Sequence, residues 1–167
     1  MNVPRTIETA IAAVLREHAE LGENVVIRAW QSLASDGSWN KNRDRQFPCL
    51  DVRCAPPTIM EGQCESVAEC SILCATKVDD DKDHETISAL YGEVQAAVDR
   101  MFSQFRKRAD GAELAKFKAA LSDDLGANFA FGGILCGEPI APSMSDSGIN
   151  TIGIRVRVIF IRKDFIK

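Results

Sequence analysis

Val67-Ala-Glu-Cys-Ser-Ile-Leu-Cys-Ala-Thr-Lys-Val78 passes through Asp79-Asp-Asp-Lys-Asp-His-Glu85 into a segment whose apolar residues are Ile87, Leu90, Tyr91, Val94, Ala97, Val98, Met101, Phe102 and Phe105. The first part alternates with period two, the repeat of a strand. Cys70, Ile72, Cys74, Thr76 and Val78 share one side, and Ser71, Leu73, Ala75 and Lys77 share the other. Both sets are mostly apolar until Lys77, so the strand is expected to be covered on both faces. The last part keeps one apolar stripe for about five turns, an amphipathic helix to about residue 107. Acids crowd its start, while Arg100, Arg106, Lys107 and Arg108 crowd its end, which suits the helix macrodipole. Asp81 or Asp83 is placed to cap the opening N–H groups.

Working upstream, residues 5–21 read as a helix with Ile7, Ala10, Ile11, Val14 and Leu15 on one stripe. Pro4 suits its first turn and Gly22 its end. Residues 25–30 are β-branched and aromatic, a strand. Residues 31–46 are polar and turn-rich, an exposed loop holding Trp39. Residues 47–54 resume a strand, with Leu50, Val52 and Cys54 on one side and Asp51 and Arg53 on the other. Ala55-Pro-Pro57 stops it, because proline cannot donate to a ladder.

Downstream, residues 112–125 form a shorter helix with Leu114, Phe117, Leu121 and Leu125. Residues 129–136 return to a strand in which Gly132-Gly133 marks a bulge or tight bend. Residues 137–150 carry two prolines, two glycines and three serines, and read as an exposed loop. Residues 151–162 close the pattern with Ile152, Ile154, Val156, Val158 and Phe160 on one side of a strand and Arg155 and Arg157 on the other. The order is helix, three strands, two helices, two strands. That order predicts a single α+β domain over residues 1–167: a mostly antiparallel sheet of about five strands, packed by an N-terminal helix and a long central amphipathic helix.

Hydrophobic residues make up 46% and charged residues 26%, the balance of a folded domain rather than a disordered one. The net charge of −4 argues against a general nucleic-acid binder. The charge is uneven: residues 151–167 carry +4, which leaves −8 for the first 150. An acidic body with a basic end can stack on copies of itself. No basic segment followed by an apolar one opens the chain, and no run approaches the ~20 apolar residues of a membrane span. Synthesis in a cytoplasm, with no membrane partner, is the expectation.

Six cysteines stand at positions 49, 54, 64, 70, 74 and 136. Cys70 and Cys74 flank a strand-like interior rather than a zinc knuckle, so buried thiols are expected, with no metal and no cofactor. Asp79-x-Asp81-x-Asp83 opens like a calcium loop, but His84 stands where glycine is needed and Leu90 where glutamate is needed. Helix N-terminal charge accounts for the same acids. Serine-elbow, phosphate-loop and dinucleotide patterns are absent from the sequence, which lowers the expectation of an enzyme. Trp39 with Arg43 and Arg45 in one loop, Arg106 and Arg108 at the end of the long helix, and Arg155, Arg157 and Arg162 near the C-terminus form the candidate subunit interface.

The strand from Glu69 to Val78, its acidic turn, the stripe Ile87, Leu90, Val94 and Val98, and the final Thr151-Ile-Gly-Ile-Arg-Val-Arg-Val-Ile-Phe-Ile-Arg162 together resemble the tail terminator (tail completion) proteins of tailed bacteriophages. The resemblance implies a non-enzymatic virion protein, made in the host cytoplasm and incorporated in the tail. Such proteins form a ring of identical subunits, commonly a hexamer, that caps the tail tube protein and joins a neck (connector) protein. It carries no catalytic residues. The six cysteines and the proline-containing segment 137–150 depart from the pattern. A neck or head-completion connector shares the same outline, and a cytosolic cysteine-dependent metal protein or enzyme is the alternative of a different class.

Overall fold

Three helices and six strands build the fold in a computed structural model, which describes residues 3–29, 46–59, 65–101, 112–125 and 129–162. Helix α1 (Val3–Arg16) buries Ile7, Ala10, Ile11, Val14 and Leu15, the stripe anticipated from spacing. It ends earlier than expected. The His18 N–H bonds to the Leu15 carbonyl, three residues back, which tightens the chain into a 3₁₀ turn at Ala19–Leu21. Gly22 follows with φ 81°, a left-handed conformation that glycine adopts without a Cβ clash.

The strands are β1 (Val26–Ala29), β2 (Cys49–Cys54), β3 (Thr58–Ile59), β4 (Glu65–Lys77), β5 (Phe129–Met144) and β6 (Ile149–Arg162). They lie in the order β1-β2-β4-β6-β5, with β3 paired to β4. Every pairing is antiparallel except β1 with β2, which is parallel. The α+β class and the largely antiparallel sheet agree with the sequence. The short β3 does not: after Pro56 and Pro57 the chain rejoins β4, Thr58 opposite Val67.

A larger correction concerns residues 137–150, expected to be a loop. They belong to a hairpin in which only residues 145–148 turn. The Ser145 N–H bonds to the Ile149 carbonyl and the Gly148 N–H to the Ser145 carbonyl, each at 2.9 Å, with Gly148 at φ 70°. Proline survives in β5 because β5 is an edge strand, where no ladder bond is demanded on the outer side. The register also shifts between Cys136 and Pro139 and between Ile140 and Ser143, so the ladder steps over Pro142 and resumes at Pro139, opposite Ile154. A third shift, between Phe131 and Gly133, is the bulge expected at the paired glycines.

Helix α2 (Glu85–Met101) buries Ile87, Leu90, Val94, Ala97, Val98 and Met101; its expected continuation to residue 107 lies outside the described residues. Helix α3 (Ala112–Leu125) buries Leu114, Phe117 and Leu121. Helix α1 packs on β1, β2 and α3, and α2 packs on β4, β6 and α3. One core results, joining the helices to Leu50, Val52, Cys70, Ile72, Ile154, Val156 and Val158.

All these strand residues share one face of the sheet. On the other face of β4, Val67, Ser71 and Leu73 are half-buried, and Glu69 and Lys77 are exposed. Ala75 on that face is buried, as are its neighbours Cys49, Asp51 and Ile159, so the second face of β4 is covered in part rather than throughout.

Candidate functional site

The sheet face away from the helices carries the polar chemistry. Register places Arg157 opposite Glu69, Arg155 opposite Ser71, and Gly153 opposite Leu73 on β4. On β2, Arg53 lies opposite Ser71 and Asp51 opposite Leu73. Arg157 Nε stands 3.4 Å from Glu69 Oε1, both side chains more than half exposed, a contact of the strength of a solvated surface pair. Asp51 is different. Although it belongs to this face, it is buried, with Arg53 at 3.6 Å. A solvent-open cavity of about 570 Å³ is lined by Arg53, Cys54, Glu69, Cys70, Ser71 and Arg155.

Of the residues lining that cavity, Cys54 and Cys70 have their side chains on the opposite, core face of the sheet. Cys54 and Cys70 are direct cross-strand partners on the core face, their sulfurs 2.9 Å apart. The Cys54 N–H points away from β4, toward the side on which the described part of β1 pairs as far as Ala29 opposite Val52. Glu8 of α1 accepts that N–H at 2.7 Å. Its carboxylate is completely buried. Glu8 was missed in the sequence, although a carboxylate spaced with Ile11, Ala12 and Leu15 on the apolar stripe is a readable signal of a buried acceptor. The expected buried thiols are found at Cys49, Cys54, Cys70 and Cys74. Cys64 lies outside the described residues.

At the other end of β4, Asp81 explains the acidic turn. Its carboxylate accepts the N–H groups of Thr86 and Ile87 and the hydroxyl of Thr76, each at 3.0 Å, so it caps α2 and ties it to β4. Desolvation pushes this carboxyl upward, but the three hydrogen bonds and nearby His84 outweigh it and leave the pKa below the ordinary value. His84 itself takes φ 58°. Asp79, Asp80, Asp83 and Glu85 remain exposed around it. Beside this turn, Ile87, Pro142, Met144, Asn150 and Ile152 line a cavity of about 440 Å³.

His18 is buried where the helices meet. Its Nε2 lies 3.4 Å from Glu93 Oε2 and 3.9 Å from Glu20 Oε2, three groups close enough to hold a cation. Arg100 Nη1, 3.4 Å from His18 Nδ1, can only donate. That contact suits the tautomer in which Nδ1 accepts and Nε2 donates toward Glu93. Arg100 also meets Glu113 at 3.4 Å, so the cluster ties α2 to α3.

Of the candidate interface residues, Arg155 and Arg157 are exposed on the helix-free face, as the alternation indicated. Arg162 ends β6 opposite Phe129. Trp39, Arg43, Arg45, Arg106 and Arg108 lie outside the described residues. Among those described, no helix is long and apolar enough to cross a membrane. No protein-family model matches the chain, and no curated protein matches it.

Proposed function

We propose that this chain is a structural subunit that assembles with copies of itself through unlike surface patches, and that it performs no catalysis. The observation that carries the reading is the separation of charge along β4. Arg53, Arg155 and Arg157 cluster around Ser71 and Glu69, whereas exposed Asp79, Asp80, Asp83 and Glu85 follow the strand's end. At about 3.3 Å per strand residue the two patches lie roughly 25 Å apart. A basic patch on one copy and an acidic patch on the next make a heterologous contact, the kind that closes rings.

The particular assembly we propose is the ring of a tailed-bacteriophage tail terminator, commonly six-fold, seated between the tail tube and a neck protein. The element order from β4 through α2 to β6 supports this reading, together with the two patches. Contact through the faces fits better than contact through the β5 edge, because Pro139 and Pro142 remove donors there and the bulges distort its ladder. The test is light scattering of the purified chain, alone and with tail tube subunits, followed by negative-stain electron microscopy. Rings, free or seated on tube ends, are expected. A chain that stays monomeric in both conditions and leaves tube length unlimited sinks the proposal.

A further inference from the structure

The Cys54/Cys70 pair has a geometry that packing alone does not require. The neighbouring ladder bond runs from the Ala55 N–H to the Glu69 carbonyl at 2.8 Å. Cys54 and Cys70 are therefore a non-hydrogen-bonded pair, the arrangement that brings antiparallel Cα atoms to about 4.5 Å. Disulfides span Cα separations of about 4.4–6.8 Å, a range that includes such a pair, and the two sulfurs already stand 2.9 Å apart. We infer that Cys54 and Cys70 are a redox-active dithiol, closing to an intramolecular disulfide that staples β2 to β4 when the chain meets a small disulfide such as oxidised glutathione. The inference rests on the thiols alone and is independent of the assembly reading.

Access and order of reaction follow from the surroundings. Cys54 and Cys70 are among the residues that line the solvent-open cavity, but both side chains lie on the core face and are buried, so a small oxidant reaches the sulfurs only through local opening at the end of β2. Cys54 is the more exposed of the two, 7% against 2%, and the Cys70 S–H points at Cys54 Sγ. The hydrogen bond with Cys54, then burial, then the charges of Cys54, Glu8 and Glu69 hold the Cys70 thiol well above its ordinary pKa. Cys54 is thus the attacking sulfur and Cys70 the resolving one.

In the first step the Cys54 thiolate attacks one sulfur of the small disulfide. The S–S bond breaks, and one small thiolate leaves and takes up a proton. In the second, Cys70 loses its proton and attacks Cys54 Sγ in the mixed disulfide, expelling the second small thiol. Two electrons and two protons pass from the cysteine pair to the oxidant. The products are one protein disulfide and two small thiols. Cys49 and Cys74 are not an equivalent pair: register sets Cys49 opposite Ala75 and Cys74 opposite Leu50, on opposite faces of the sheet. Burial, then Cys49, pushes the Cys74 thiol up to about 12.

The experiment treats the folded full chain with oxidised glutathione at neutral pH, blocks the remaining thiols, and maps disulfides without reduction. Cleavage after arginine, lysine and glutamate separates Cys49, Cys54 and Cys64 onto different peptides, and fragmentation distinguishes Cys70 from Cys74. A Cys54–Cys70 cross-link is expected, lost again on adding dithiothreitol. The Cys70→Ser chain is expected to stop as a mixed disulfide carrying glutathione on Cys54. Should that variant fail to fold, the mapping of the unaltered chain decides alone. A folded chain that keeps both thiols reduced, or links Cys54 or Cys70 to another cysteine instead, overturns the inference.

Discussion

The carboxylate of Glu8 accepts the backbone N–H of Cys54 at 2.7 Å, a bond from α1 to the side of β2 that faces away from β4. An α-helix thereby supplies the acceptor for a strand N–H. Replacing Glu8 by alanine leaves a buried N–H without that acceptor, at a cost of about 1–3 kcal/mol. Glu8→Gln keeps an oxygen in place and is expected to fall between alanine and the parent. Urea unfolding monitored by circular dichroism ranks the three; an alanine variant as stable as the parent contradicts the assignment.

Asp81 makes a prediction in pH. Its folded pKa is below the ordinary carboxylate value, so folding favours the charged form. The stabilisation is complete above the unfolded-state pKa, about 3.9 for aspartate, and is lost as pH falls through the lower folded value. Asp81→Asn is therefore expected to be less stable than the parent at neutral pH, by about 1 kcal/mol for a weakened cap. The gap closes as the medium is acidified below pH 4. Unfolding free energies from pH 7 to pH 2.5 measure it, and a constant gap across that range counts against the charge-based cap.

Gly153 and Gly92 form a matched pair with opposite expected signs. A Cβ on Gly153 meets the Ile72 carbonyl oxygen at 2.5 Å and Leu73 Cδ2 at 2.8 Å, whereas a Cβ on Gly92 meets nothing within 4 Å. Gly153→Ala forces β4 and β6 apart in the centre of the sheet, a cost of about 2–3 kcal/mol. Gly92→Ala, in the interior of α2, stabilises by about 0.5–1 kcal/mol through helix propensity. Thermal midpoints that move in the same direction for both variants refute the argument.

Reversal of Arg155 and Arg157 to glutamate tests the proposed assembly surface. Both side chains are exposed, and the one ion pair described for them, Arg157 with Glu69, is a surface contact worth at most about 1 kcal/mol. The double variant is expected to unfold at nearly the parent midpoint yet to form fewer rings, and the parent's association is expected to weaken as salt rises. Unchanged assembly in the double variant removes these two residues from the interface.

Much of this was legible in the residues, for identifiable reasons. The α2 stripe from Ile87 to Met101 and the β6 alternation of Val156 and Val158 with Arg155 and Arg157 are local repeats, and both emerged at the expected positions. Asp81 could be named as a cap because capping acts within a few residues. The hairpin through Pro139 and Pro142 was misread for the opposite reason: whether a proline breaks a strand depends on which side of the sheet is left unpaired. Neither prolines nor serines record that β5 lies at an edge.

Chain chemistry alone determined the long helices, strands β1, β2, β4 and β6 and the side each presents to the core, because periodicity and side-chain sterics operate over neighbouring residues. Only the folded arrangement decided that β1 runs parallel to β2, that Glu8 finds Cys54, that Cys54 finds Cys70, and that one sheet face stays free of helices. Those relations join residues far apart in sequence. They depend on register, a quantity set by the packing of the whole domain.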